Sequence, residues 1–285
     1  TPPQPSPFKP GLYDDTTASI GRRRRSGTSS REVAGAVLQQ YSGETRKLVD
    51  VLSGHTIQTW NNIGHVEYNS NILTDGSLLV DGQAGDDCAV RYQGLHRYDE
   101  NSNCLWSLDI SNWLSNNSNP SVDGSFEAHH DAWPLENGNI LIHGSHYIYG
   151  DNWGRNGNIE SGFIMEIQPV GQDGANLVWE WYMSDHFIQD RNIEKWGYVD
   201  NISDYPHMID INLPSEENPS GEGNDNDFSH FNTIHYNPDL DAVVISSRGI
   251  GYGGGGENFI IQRTGSFGGN IIWRCCNPAN YGMGG

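Results

Sequence analysis

Apolar residues along this chain recur in short alternating runs broken by turn residues. The three-to-four-residue spacing of a long amphipathic helix is scarce. Two kinds of run repeat. One is an apolar-turn-apolar hairpin, seen in NILTDGSLLVDG (71–82), DAWPLENGNILIHG (131–144) and NTIHYNPDLDAVVIS (232–246). Asp75-Gly76 and Asn137-Gly138 sit at the centres of the first two, and such pairs accept the positive φ that a tight hairpin turn requires. The other run is a strand that reaches a Trp after a turn rich in Gly, Asn or Asp: GHTIQTW (54–60), SNCLWS (102–107), GANLVWE (174–180) and GGNIIWR (268–274). A further strand precedes the Trp strand in the later units, as in SGFIMEIQ (161–168) and NFIIQRT (258–264). Each unit therefore has about four strands, and its repetition predicts an all-β fold, a β-propeller of four-stranded antiparallel blades. The best helical stretch is short, Ile188 to Trp196.

Four blades are visible, and a ring of six would need the chain to continue or a partner to complete it. Residues 1–31, rich in Pro, Ser, Thr and Arg, read as an extended N-terminal segment, and 32–285 as the propeller domain, with insertions near 145–160 and 183–227. The second insertion holds SEENPSGEGNDND (215–227), whose oxygens suit a structural calcium ion or simply a solvated loop. GRRRRSG (21–27) reads as a solvated loop or a processing site.

Composition supports this picture and removes some functions. The chain has 285 residues, 35 of them Gly and 9 Trp, with 16 Lys+Arg against 36 Asp+Glu for a formal charge of −20. Such a surface repels phosphate backbones and anionic lipid, so no nucleic-acid partner is expected. No apolar run approaches the ~20 residues needed to span a bilayer. The opening TPPQPSPFKPG has neither a charged nor an apolar leader region, as in a processed chain or one that never carried a signal. Cys88 and Cys104 flank CAVRYQGLHRYDENSNC (88–104), where a disulfide could close a hairpin. Adjacent Cys275 and Cys276 could bond to each other or elsewhere, and four reduced thiols are the alternative. Disulfides in an acidic, lysine-poor chain fit a secreted, extracellular or periplasmic protein. Asn116-Asn117-Ser118 and Asn201-Ile202-Ser203 are glycosylation sequons, relevant in a eukaryotic secretory route.

HHDAWPLENGNILI (129–142) and DFSHFNTIHYNPDLDAVVISSR (227–248) resemble the two signature blades of the arylsulfotransferase family, which transfers sulfuryl groups without a nucleotide donor. RKLVDVLSGHTIQTW (46–60) resembles that family's first blade, and NPANYGMGG the approach to a following one. The likeness runs from about Ala36 to the C-terminus. It implies a six-bladed propeller with its site in the central channel. It also implies sulfuryl transfer from an aryl sulfate to a phenol, with a small anionic aromatic substrate and no required cofactor. The first signature histidine is His129 or His130, with His130, directly before Asp131, preferred. The second is His230, and Arg248 closes the strand. His130, His230 and Arg248 are then the catalytic set, with His129, Asn232 and Asp131 as substrate-binding neighbours. The covalent sulfuryl acceptor of the family, a further histidine in a later blade, is expected past Gly285.

The residue chemistry agrees. A guanidinium offers a fork of donors to sulfuryl oxygens, and imidazoles donate, accept or attack. Each residue also has a plain structural alternative: histidines that bond backbone, an Asp227–His230 pair that stitches blades, an Arg248 paired with Asp131. Tyr147, Tyr149, Trp153 and Tyr252 stack on an aryl group or pack under their own loops. His143, His146, His207 and His235 read as ordinary polar residues. A non-catalytic extracellular propeller that acts as a scaffold, self-assembling (oligomer or filament) or binding subunit is the alternative function, and a quinoprotein propeller is a third.

Overall fold

A computed structural model of the chain describes residues 35–42, 44–90, 93–117, 126–215, 218–221, 223–251 and 256–282. The N-terminal segment, its arginine run, Ser118, Glu216, Glu217, Glu222 and Tyr252 lie outside the described residues.

Four antiparallel sheets follow one another as propeller blades. Blade 1 has three strands among the described residues, β1 (Ala36–Ser42), β2 (Thr45–Asp50) and β3 (Thr56–Asn61). Blade 2 has β4 (Val66–Ile72), β5 (Leu78–Gln83), β6 (Gln93–Tyr98) and β7 (Cys104–Leu108). Helix α1 (Ile110–Asn117) leads to blade 3, made of β8 (Phe126–Pro134), β9 (Ile140–Tyr149), β10 (Asn158–Val170) and β11 (Gly174–Tyr182). Two short parallel strands, β12 (Phe187–Ile188) and β13 (Ile209–Asp210), lie in the long insertion. Blade 4 has β14 (Phe231–Asn237), β15 (Ala242–Ser247), β16 (Glu257–Gln262) and β17 (Ile271–Cys275). The first strands of blades 2, 3 and 4 stand side by side, β4 against β8 and β8 against β14.

The core is the set of interfaces between blades. Alternation sends every second side chain of a strand toward each neighbouring blade. Trp60, Leu78, Val80 and Tyr98 pack between blades 1 and 2. Leu79, Trp106, Ile140, Ile142 and Phe163 pack between blades 2 and 3, with α1. Leu141, Ile164, Trp181, Phe231, Val243, Ile245 and Phe259 pack between blades 3 and 4. Each junction is also stapled by an indole. Trp60 Nε1–H donates to Asp99 O at 2.8 Å, Trp106 to Gly174 O at 2.9 Å and Trp181 to Gly269 O at 2.8 Å. In each case the last strand of one blade reaches the turn before the last strand of the next. The Trp repeat of the sequence is thus a blade-to-blade bond, although in blade 3 Trp181 makes it and Trp179 does not.

Three details differ from expectation. Ile188 to Trp196 forms no helix. The Gln189 side chain accepts from Arg191 N at 2.8 Å and Asn192 N at 2.7 Å and donates to Asn192 O at 2.7 Å, capturing the backbone groups a helix would use. Among the described residues the α-helix is α1, which buries Ile110, Trp113 and Leu114. The stretch near 145–160 is largely strand, so only Gly150 to Gly157 connects β9 to β10. The Cys88–Cys104 disulfide ties the β5–β6 connection to the start of β7 rather than closing a hairpin. Cys275 and Cys276 bond to each other.

The 183–227 insertion is clamped by buried arginines. Arg155 Nη2 pairs with Asp225 Oδ2 at 2.8 Å, Nη1 donates to Ile211 O at 2.7 Å, and the guanidinium lies 5.2 Å from the centre of the Phe228 ring. Arg274 pairs with Glu257 at 2.7 Å and donates to Met208 O. The insertion and the 150–157 turn therefore lie at the end of the propeller where β8 and β14 begin.

Candidate functional site

The site is built by two distortions of the first strands. Ala128 pairs with Gly144 and Ala132 with Ile142, so His129, His130 and Asp131 together stand opposite the single residue His143. A bulge of this kind re-aims side chains. It puts His130 at φ 66°, in the left-handed region. His230, just before β14, has φ 36°. Non-glycine residues in that region carry a strain of about 1–2 kcal/mol each, so the surroundings must hold both in place. For His230 the hold is visible: Arg248 N–H donates to His230 O at 3.0 Å, and Ser247 Oγ–H donates to Ser229 O.

The two distorted histidines meet. His130 Nε2 lies 3.2 Å from His230 Nε2. On its other side His230 Nδ1 is 2.6 Å from both carboxylate oxygens of Asp227. A carboxylate only accepts, so Nδ1 of His230 carries a proton and donates it to Asp227. Neutral His230 then offers a lone pair at Nε2, and His130 Nε2–H donates to it. When His230 is an imidazolium the direction reverses. One proton is shared between two imidazoles of adjacent blades, backed by one carboxylate.

Arg248 Nη2 lies 3.4 Å from Asp227 Oδ2 and 3.3 Å from His230 Nδ1, with its side chain 51% exposed. Because Nδ1–H is committed to Asp227, the contact with the ring is electrostatic. A cavity of about 310 Å³ opens beside Arg248, lined also by Asn232, Ser246, Gly256, Glu257 and Asn258. Glu257 is already neutralised by Arg274, at 2.7 and 3.0 Å, and bonded by Asn280 at 2.7 Å.

Burial sets the proton affinities of the inner rings. His129 is lowered to about 4 by burial and by the neighbouring His130 and His230. His130 is lowered by burial, then by His230 and Arg248, against the opposing pull of Asp227 and Asp131. His143, completely buried, lies well below the ordinary histidine range, chiefly through loss of solvation. Four imidazoles thus gather at one point. His129 is 4.8 Å from His130, 5.7 Å from His143 and 6.2 Å from His230, between ring centres.

The matches to the sequence reading are uneven. His130, His230 and Arg248 come together, with His129 behind them and Asn232 in the cavity wall. Asp131 is turned into the blade 3–4 junction, where Oδ2 accepts from Ile234 N–H at 3.1 Å. Arg248 pairs with Asp227. Trp153 packs under its own insertion against Phe187 and Trp196. Two members carry no site role in the sequence reading: Asp227, read there as a blade-stitching partner of His230, and His143, read as an ordinary polar residue. The His-three-after-Asp spacing carried the first, and nothing short of strand register could reveal the second. Among the described residues, no group of three or more His, Cys, Asp or Glu is arranged to hold a metal ion, and Asp225 of the acidic stretch is bound to Arg155.

The family model described as arylsulfotransferase (ASST) matches residues 99–252, more than half of the chain. The chain belongs to the arylsulfotransferase family. The matched span carries His129, His130, His143, Asp227, His230 and Arg248, so the whole cluster lies inside the family region. No curated protein matches the chain. Among solved structures, the quinohemoprotein alcohol dehydrogenase ADHIIG from Pseudomonas putida HK5 aligns with 12% identity and a TM-score of 0.37, over 85% of this chain and 33% of that one. The arylsulfotransferase-family chain thus spans about a third of the length of that structure. Among its described residues, no helix is long and apolar enough to cross a membrane.

Proposed function

We propose that this arylsulfotransferase-family propeller moves a sulfuryl group from an aryl sulfate to a phenol, outside the cytoplasm, at the His130–His230 pair between blades 3 and 4, beside the blade 4 pocket at Arg248. The observation that carries the reading is the 3.2 Å His130–His230 pair, backed by Asp227 and flanked by Arg248. In the overall exchange the S–O bond to the donor phenolate breaks and an S–O bond to the acceptor forms. The leaving phenolate takes a proton, and the incoming phenol gives one up. An imidazole pair that shares one proton supplies both transfers and ends as it began. Arg248, with Asn232 beside it, faces the sulfuryl oxygens, whose charge it balances. The Cys88–Cys104 bond suits an oxidising compartment.

The test is turnover of a nitrophenyl sulfate with a phenol acceptor. Arg248→Ala and His230→Ala should each lower kcat/KM by about 100-fold or more, the scale of one lost charged or proton-transferring group in a catalytic site. Wild-type turnover that neither substitution changes would refute the assignment.

A second reading is favoured by the outermost sheet faces. Val37 and Ile57 in blade 1 are 43% and 56% exposed, and Ile272 and Trp273 in blade 4 are 43% and 49% exposed. Apolar groups on sheet faces suit assembly with another blade-like surface. Sedimentation across a concentration series tests it: growth in size that Trp273→Ser abolishes supports assembly, and one unchanging monomer refutes it.

A further inference from the structure

His143 is a histidine that packing alone does not call for. It is the fourth residue of β9, and the fourth residue of β15 in the next blade is the fully buried Ile245. Its strand neighbours are Leu141 and Ile142. Yet both ring nitrogens are buried without a hydrogen bond. Leaving a buried polar group unpaired costs about 1–3 kcal/mol, and an aliphatic side chain would avoid it. What the imidazole does have is a position. It is the single residue of β9 spanned by the His129–His130–Asp131 bulge. Its ring stands edge-on to His129, 87° between planes and 5.7 Å between centres, and His129 stands edge-on to His130, at 85° and 4.8 Å. Phe231 closes the other side at 6.3 Å. Nδ1 of His129 is likewise buried and unbonded.

We propose that His143 is a positioning residue of the imidazole cluster, setting the ring orientation of His129 and through it which nitrogen of His130 carries the proton facing His230. This rests on reading the cluster as a proton-transfer site, and it adds a third layer to that site. A fully buried ring cannot touch substrate, so its action must pass through His129. An imidazole beneath the bulge stands perpendicular to the ring above it, a packing that favours one orientation of that ring. His129 does the same for His130. The charged groups that act on the cluster are Asp227, Asp131 and Arg248 at His130 and Glu160 at His230, whereas His129 and His143 feel only other imidazoles, so none substitutes for His143 behind His129.

The experiment compares His143→Leu and His143→Asn with the wild type. The first readout is the ¹⁵N chemical shifts of the histidine rings, which report tautomer without any turnover. The expected result is one tautomer for His129 and His130 in the wild type, a mixture in His143→Leu, and partial recovery in His143→Asn, which restores a planar polar group. Melting temperature in His143→Leu should be unchanged or higher, since the unpaired nitrogens are gone. Nitrophenyl sulfate turnover, the second readout, should fall about tenfold in His143→Leu at unchanged KM. Identical tautomers in wild type and both variants overturn the proposal, whatever the rates. Absence of turnover in the wild type overturns the functional reading but leaves the tautomer measurement decisive for His143.

Discussion

Acid should weaken this fold through a histidine that touches nothing polar. His146 is completely buried on β9 with both ring nitrogens unbonded. Its ring stacks on Phe126 at 5.0 Å and 8°, with Tyr182 edge-on at 5.4 Å. Loss of solvation lowers its pKa from 6.5 to about 4. Protons therefore bind the unfolded chain first. The stability His146 leaves intact above pH 6.5 is lost as pH falls toward 4. A shift of roughly 2.5 units at about 1.4 kcal/mol per unit sets a ceiling of about 3 kcal/mol, of which about 2 kcal/mol is lost between pH 7 and pH 4.5. His146→Phe keeps the stack and removes the proton site. Urea unfolding followed by Trp fluorescence at both pH values gives the test. The variant should lose about 2 kcal/mol less than the wild type on acidification, whatever its stability at pH 7. Equal losses in the two proteins would show that His146 is protonated in the folded state at no cost, and the burial argument would fall.

Asp227→Asn replaces the charge-assisted bond to His230 Nδ1 with a neutral one and should lower nitrophenyl sulfate kcat/KM by about 10–100-fold, as expected for a loss of roughly 1.5–3 kcal/mol; a rate within twofold of wild type would make Asp227 a structural partner only. Replacing Cys88 and Cys104 together by Ala, across a sequence separation of 16, should cost about 3 kcal/mol in urea unfolding by the chain-entropy argument, and no change in midpoint would count against it. Aryl sulfate binding should be accompanied by proton uptake, seen as an apparent calorimetric enthalpy that depends on the ionisation enthalpy of the buffer. Identical enthalpies in phosphate and Tris would refute that coupling.

Much of the propeller could be read from residues because its signals are local. Alternation, Asp-Gly and Asn-Gly turns and a Trp per unit each follow from one strand or one hairpin, and the chain has a strand or a turn at each as expected. The helix at Ile188 to Trp196 failed because a single side chain, Gln189, outcompeted the helical bonds, which depends on how the chain turns and not on apolar spacing. In blade 3 the sequence offers two tryptophans two residues apart, Trp179 and Trp181, and only the contact of Trp181 with Gly269 O distinguishes the one that makes the staple. In the candidate site, His130, His230 and Arg248 were legible because they share short motifs. His143 was not, since its importance comes from facing three bulged residues across a strand pair, and Asp131 reads the same in sequence whether it turns toward the channel or into a blade junction.

Charge ties these observations together. A chain of net charge −20 must still admit an anionic aryl sulfate if the proposed reaction is to run. The cluster does not solve this with surplus positive charge, because Arg248 lies against Asp227 and Glu160 acts on His230 as a further carboxylate. Asp131, though bonded into the blade junction, adds its field from behind His130. The inner rings His129 and His143 are held neutral by burial and add nothing. For the proposed reaction to admit the anion, the His130–His230 pair would take up a proton between Asp227 and the incoming sulfuryl oxygens, against the burial and the Arg248 charge that disfavour it on His130. Admission of the anion and delivery of the proton needed by the leaving phenolate would then be one event, with the two rings 3.2 Å apart so that either can hold that proton.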